Sequence, residues 1–398
     1  MNNVQHRRRS AGALFAGVAI SATGYTMMVA VLPLTAEDLL QSPRWSGAPS
    51  ALGTLGVAFG ASWIASHMRR RSRRTALALG YLLSTVAAGV AAAGAASAAF
   101  LLMAGAVFFV GAGFAASRLS RYAAADLYAP AERSAAIGWN VWAATIGSVA
   151  GPLALGATLR AGRSAGVPDV VTPFVVAAAA FAVSALVIHA RYSPLAESAT
   201  ASAYTTGGID HASPSGLRLA VISLLAGQIV MVLVMTMTPI HMRHHGHDLD
   251  SVGIVFASHT LGMYAFSPIA GWLSDRLGRV TVIVTSCLLL SIAGFLASTS
   301  TLTTASLATA QFLLGVGWSF SFVAASALLT ESAPAVDRVR WQGSADSLVW
   351  GTAAFAGVAS GLLLSSVGYA ALSRFGGALA LVPLLFVWGQ AKRRVVSS

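Results

Sequence analysis

Twelve stretches of this chain stay apolar for about 20 residues or more, the length an α-helix needs to cross the roughly 30 Å hydrocarbon core of a bilayer. They cover about 11–34, 47–68, 75–95, 98–125, 134–158, 171–190, 217–240, 252–273, 279–298, 304–329, 341–366 and 370–390. Inside hydrocarbon every backbone N–H and C=O must be satisfied within the segment, so the pattern predicts an all-α integral membrane protein. Charge agrees, since only 10% of the residues are charged, against about 25% in soluble domains.

The first stretch follows Arg7, Arg8 and Arg9, the arrangement of a signal peptide. Its apolar run is about 24 residues, longer than the 7–15 of a signal core, so an uncleaved helix containing Pro33 is expected. A formal charge of +12 would suggest nucleic acid or anionic lipid as the partner of a soluble protein. Here topology accounts for it without nucleic acid. With the amino terminus inside, the cytoplasmic ends receive Arg7–Arg9, Arg69–Arg74, Arg118, Arg121, Arg133, Arg191, Arg218, Arg276, Arg279, Arg338, Arg340, Lys392, Arg393 and Arg394. Only Arg44, Arg160, Arg163, Arg243 and Arg374 fall outside. This asymmetry predicts an even number of spans, both termini cytoplasmic, in a bacterial inner (plasma) membrane; one lysine among many Ala, Gly and Arg suggests a GC-rich genome. The single cysteine, Cys287, excludes an internal disulfide.

The chain repeats itself. Residues 191–216 are rich in Ser, Thr, Ala and Gly and read as a flexible cytoplasmic linker between six spans in 1–190 and six in 217–398. "GAGF" at Gly111 recurs as "GVGW" at Gly315, 204 positions on, and each is followed by an Ala-Pro pair, Ala129-Pro130 and Ala333-Pro334. "SWIASHMRRR" from Ser62 aligns with "GWLSDRLGRV" from Gly271, and Pro33 parallels Pro239. Two pseudo-symmetric six-helix bundles with a binding site where the halves meet are the plan of a transporter.

These motifs resemble the major facilitator superfamily, the twelve-helix drug:proton antiporters in particular. The loop signature G-x-x-x-D-R-x-G-R is matched by Gly271, Asp275, Arg276, Gly278 and Arg279 between spans eight and nine. The family shows it most strongly between spans two and three, where this chain has Ser62, Ser66, His67, Arg69 and Arg70, without the acid and both glycines. The antiporter pattern of span five is met by Gly138, Gly147, Gly151, Pro152 and Gly156, with Leu155 in place of one glycine. The resemblance implies proton-coupled export by alternating access, the proton gradient as energy source, no cofactor, and a monomer.

The chemistry of the loop follows from its charges. A helix amino terminus carries unpaired N–H groups and a partial positive charge. Asp275 is expected to cap span five near Arg133 and Ser134 when the cytoplasmic side is shut, with Arg276 and Arg279 reaching Glu331 and Gly278 permitting the turn. The alternative is an ordinary polar loop with a topogenic charge. In the first half Asp126 is the acid available to Arg69–Arg74; a basic cluster without any gate is the other reading. The span-five glycines let a helix approach closely and Pro152 removes one helical hydrogen bond, which serves either a dry seam or plain packing.

Ionisable groups within spans are functional candidates. Asp346 is the expected proton carrier, Arg121 its partner, with Arg118 and His259 as further candidates; the alternatives are a cytoplasmic charge layer and, for His259, a structural hydrogen bond. His241, His244, His245 and His247 suggest a metal, but the run falls in an outer loop without a rigid frame, so no metal site is expected. Tyr25, Met28, Asn140, Gln228, Met231, Met235, Tyr264, Trp318 and Gln342 are the candidate lining of a substrate cavity. Methionines and aromatics suit a partly apolar small molecule such as a drug or natural product, although each also serves ordinary packing.

Other classes fit less well. No phosphate-cradling G-x-x-x-x-G-K-[ST] loop is present for an ATP-driven pump, and no embedded nucleophile with its base, nor clustered metal ligands, suggests an enzyme. An importer of a nutrient or vitamin-like solute and a non-transporting sensor or scaffold remain the rival readings.

Overall fold

The computed structural model of the chain describes residues 3–41, 45, 47–193, 213–299 and 303–388. Arg44, Lys392, Arg393, Arg394 and residues 194–212 of the expected linker lie outside the described residues. Among those described, the regular elements are helical: α1 (Asn3–Leu40), α2 (Ala48–Arg70), α3 (Arg73–Ala96), α4 (Phe100–Ala125), α5 (Arg133–Ser164), α6 (Thr172–Arg191), α7 (Pro214–His244), α8 (Leu249–Ala265), α9 (Ser267–Leu277), α10 (Arg279–Thr299), α11 (Thr304–Ser332) and α12 (Arg338–Leu379). Side-chain caps open several of them. Ser72 accepts from the Thr75 N–H, Ser213 from Gly216, Asp248 from Ser251 and Thr303 from Ser306, each satisfying a donor that the helix leaves unpaired.

Eleven helical stretches among the described residues are long and apolar enough to cross a membrane. The last, Arg338–Trp388, has 51 residues and would measure about 75 Å if straight. It breaks instead at Gly368, whose φ of 79° suits a residue without Cβ, and so holds the span expected at 341–366 and, as far as Trp388, the one expected at 370–390.

Span eight departs from its expected single helix. It is divided at Phe266 into α8 and α9, and Pro268, which cannot donate to the preceding turn, lies in the first turn of α9. Helix ends also overrun the apolar pattern: α1 continues to Leu40, and α7 to His244, so His241 and His244 are helical rather than part of a loop. Apolarity marks the bilayer, whereas a helix continues until its backbone is capped or turned.

By packing, the chain forms two compact units. The first holds the described residues of Met1–Leu127, Ala143–Gly208 and Val339–Gly351; the second holds those of Tyr128–Trp142, Ile209–Arg338 and Thr352–Ser398. The first turns of α5 therefore belong to the second unit, and those of α12 to the first, a division that differs from the sequence boundary at 191–216. In the first unit α4 is the buried helix, set against α2 and α3; in the second, α11 is set against α8 and α10. Gly111 faces the backbone of Gly53, and its repeat partner Gly315 faces the backbone of His259 and Met263. A side chain at either position would overlap the neighbouring helix.

Candidate functional site

In the second unit the end of α9 meets the first turn of α5. The Asp275 carboxylate accepts from the backbone N–H of Ser134 at 3.2 Å and of Ala135 at 2.8 Å. It thereby satisfies donors that a helix start leaves orphaned and sits against the positive end of the dipole. Close approach is possible because Gly271 lies against the Ser134 carbonyl and Gly138 against that of Ser267. Gly278, at φ 89°, then turns the chain into α10.

Arg279 joins the rest of the cluster. Its guanidinium is 3.0 Å from Asp275 and 2.7 Å from Glu331, and it also donates to the Pro130 carbonyl. Arg276 does not reach Glu331 as expected. Its guanidinium lies 4.8 Å above the Trp272 ring, because residues four apart share a helix face and a ring attracts a cation there.

In the first unit Asp126 ends α4, and of the basic cluster it is Arg73, the first residue of α3, that pairs with it. Arg73 also donates to the Gln342 amide oxygen at 3.2 Å. Gln342 is thereby engaged in this charge cluster through its amide oxygen. Nearby, α2 meets the first turns of α12 through serines: the Ser62 N–H and hydroxyl bond the Ser347 hydroxyl at 3.1 and 2.7 Å, and Ser347 donates to the Ala58 carbonyl at 2.6 Å.

Deeper in the same unit, Arg121 grips Asp346 through both terminal nitrogens, at 2.5 and 3.0 Å. The side chains are only 2% and 0% exposed. Arg121 also donates to the Tyr122 hydroxyl at 2.9 Å and to the Arg118 carbonyl at 2.6 Å. Buried charges are tolerated when paired and hydrogen-bonded in this way. Arg118 takes no part through its side chain, which lies 5.2 Å from the Phe114 ring and 4.7 Å from that of Trp350.

His259 sits apart in the second unit, with Nδ1 at 3.0 Å from the Gln311 carbonyl and Nε2 buried without a partner. The Gln311 amide donates to Thr238 at 2.5 Å, and Thr238 is 2.8 Å from the Tyr369 hydroxyl. Met235 lines the same small cavity. His241 stacks on Tyr369 at 4.2 Å, and His245 bonds the His241 carbonyl through Nδ1. His247 is 3.2 Å from the Thr304 hydroxyl. No group of three or more candidate ligands converges among the described residues.

The expected cavity residues divide between the units. In the first, Tyr25 stacks on Phe114 at 4.0 Å, while Met28 is wholly buried. In the second, Trp318 donates to Gln228 at 2.8 Å, stacks on Phe322 and meets Tyr264 edge-on; Met231 and Asn140 are buried. Of the span-five glycines, Gly147 and Gly151 lie against Ala22, Thr23 and Thr26 of α1, and the Thr26 hydroxyl donates to the Gly147 carbonyl at 2.8 Å. Gly156 makes no such approach: a Cβ there would meet only Arg160, at 3.6 Å, because the last turns of α5 are exposed. Pro152 is accommodated within a continuous α5.

Residue chemistry alone left Tyr122, Trp350 and Ser347 unnoticed, although each contacts a residue that stands out in the sequence, and Pro130 stood out only as part of the repeat. Their signal was position, one residue from Arg121, four from Asp346 and 285 from Ser62.

Comparison with known proteins follows the same lines. Residues 219–397 match the Major Facilitator Superfamily. The chain is 34% identical over 383 residues to the uncharacterized MFS-type transporter YdeG of Bacillus subtilis (strain 168), covering 93% of this chain and 89% of that protein. It is 28% identical to the riboflavin transporter RfnT of Brucella anthropi over 97% of both. Among solved structures, the human organic anion transporter MFSD10 aligns with a TM-score of 0.77 at 17% identity, covering 96% of this chain and 99% of that one. The proton:xylose symporter XylE aligns at 0.73 and 13%, covering 98% and 96%; at these identities the likeness is one of fold. The identity to YdeG over nearly the whole chain makes this protein a member of the major facilitator superfamily, an all-α multi-pass membrane transporter.

Proposed function

We propose that the protein is a proton-coupled exporter of a small amphiphilic organic compound, a drug or natural product, working as a monomer by alternating access in a bacterial cell membrane. Both termini are cytoplasmic, as the arginine distribution favours. The observation that carries the coupling is the buried Arg121–Asp346 pair. A proton on Asp346 cancels the charge that holds Arg121, so proton binding and helix packing are linked at one place. Asp275 supplies the second element: its hold on the first turn of α5 is made in one transport state and released in the other. Export is favoured by the antiporter spacing of α5, where Gly147 and Gly151 seal against α1.

The test is transport in proteoliposomes with an imposed pH gradient. Asp346→Asn is expected to lose uphill movement while retaining exchange of labelled for unlabelled substrate; uphill movement at the unmodified rate would sink the coupling role. A second reading, import of a vitamin-like solute, rests on the similarity to RfnT. Direction separates the two in an efflux-deficient host: an exporter depletes label from cells, an importer accumulates it.

A further inference from the structure

α4 carries Arg118 and Arg121, and Asp126 at its end holds Arg73; two of these three arginines have carboxylates. Arg73 is held by Asp126 and Arg121 by Asp346. Arg118, one turn before Arg121 on α4, has none among the described residues and makes no side-chain hydrogen bond there. Its Nε is buried without an acceptor, and the indole N–H of Trp350, whose ring lies 4.7 Å from the guanidinium, is buried without one too. Arginine and tryptophan side chains are donors only, so the place lacks an acceptor and a negative charge together. The faces of Phe114 and Trp350 attract the cation but neutralise no charge. Beside it half-buried Tyr25 lies parallel to the buried Phe114 at 4.0 Å, and Phe181, also buried, backs Phe114 edge-on.

We propose that Arg118 and Trp350 form the anion-binding end of the substrate site, and that the transported compound is a ring-bearing organic anion, of which an aromatic carboxylate is the simplest case. An acceptor-only group satisfies both orphan donors and the unpaired charge at once, and the half-buried rings of Tyr25 and Trp350 are the ones open to an apolar body. A protonated amine would meet a like charge, and a neutral ring would leave the charge uncompensated. The inference rests on the export reading only in calling the ligand cargo; binding is measured without transport.

The experiment compares 2-naphthoate, neutral 2-naphthol and cationic 2-naphthylmethylammonium by calorimetry on the full-length protein in detergent. The expected result is that naphthoate binds at least about tenfold more tightly than the other two. Arg118→Gln is expected to remove about that advantage, and Trp350→Phe, which keeps the ring and loses the N–H, to weaken naphthoate by about threefold. Should Arg118→Gln fail to elute as folded protein, Arg118→Lys replaces it and is expected to weaken naphthoate several-fold, having lost the planar fork. Equal binding of the three compounds, no binding of naphthoate, or undiminished binding by the Arg118 variant overturns the proposal. Failure of export is separately visible: a protein that binds naphthoate yet moves no label against a pH gradient contradicts the exporter reading alone, and a proton-driven exporter indifferent to naphthoate contradicts the anion site alone.

Discussion

α9 meets the first turn of α5 through a carboxylate, whereas its repeat counterpart α2 meets the first turns of α12 through two serines. The backbones approach in similar ways: Gly138 lies against Ser267 and Gly271 against Ser134, while Gly343 lies against Ala65 and Ser62 against Ser347. What differs is the chemistry. Asp275 places a full charge on helix N–H groups and ties it to Arg279 and Glu331; Ser66, at the aligned position, donates to its own helix at Trp63. The first unit keeps its acids elsewhere, Asp126 on Arg73 and Asp346 on Arg121. The close crossing is thus common to both regions and the charge is not: a carboxylate caps one helix start, and neutral hydroxyls clasp the other.

Five substitutions test that difference, beginning with the strongest. Asp275→Ala removes the acceptor of two N–H groups and the partner of Arg279, about 3 kcal/mol from charge-assisted bonds, and is expected to lower transport by about a hundredfold in proteoliposomes. Adding Ser66→Asp to it should restore nothing, because only α9 carries the glycine that lets an acid reach a helix start; recovery of transport would make the two crossings interchangeable. Arg73→Gln leaves the Asp126 carboxylate, 17% exposed, without its cation. About 2 kcal/mol of stability is expected to go, read as a lower melting temperature of the detergent-purified protein. Gly138→Ala forces a methyl group against the Ser267 carbonyl and should cost about 1.5 kcal/mol by overpacking, with slower transport and an altered melting temperature. Ser62→Ala is expected to be mildest, about 0.5 kcal/mol, with transport within a factor of about two of the unmodified rate; a loss as large as that of Asp275→Ala would erase the contrast between the crossings.

Much of this was legible in residue order. The Gly271–Arg279 signature pointed to Asp275 near Ser134 and to Arg279 near Glu331, since a carboxylate at the end of one membrane helix needs donors and a repeat suggests where they lie. Asp346 and Arg121 stood out as charges inside apolar runs. Less visible were the exact partners. Nothing in a row of arginines from Arg69 to Arg74 singles out Arg73; it is chosen because α3 begins there, beside the end of α4. Arg276 was drawn to Trp272 on its own helix rather than to Glu331, and Gln342 accepts from Arg73, a bond its place among the cavity candidates did not announce. The break at Phe266 had a signal in Pro268, whose missing N–H weakens the turn before it, yet its apolar neighbours hid it.

Sequence by itself determined the membrane-spanning helices, the two-fold repeat and the short roster of charges that must find partners. These are properties of single segments, set by the cost of placing polar groups in hydrocarbon and legible one helix at a time. The tertiary structure alone decided the partners that no segment announces: Arg73 out of its cluster with Asp126 and Gln342, Arg276 with Trp272 instead of Glu331, and Arg118 with rings instead of a carboxylate. Those choices depend on how each helix is rotated and how far it slides against its neighbours. Both are fixed by backbone contact at Gly111, Gly271 and Gly315, which no single segment contains.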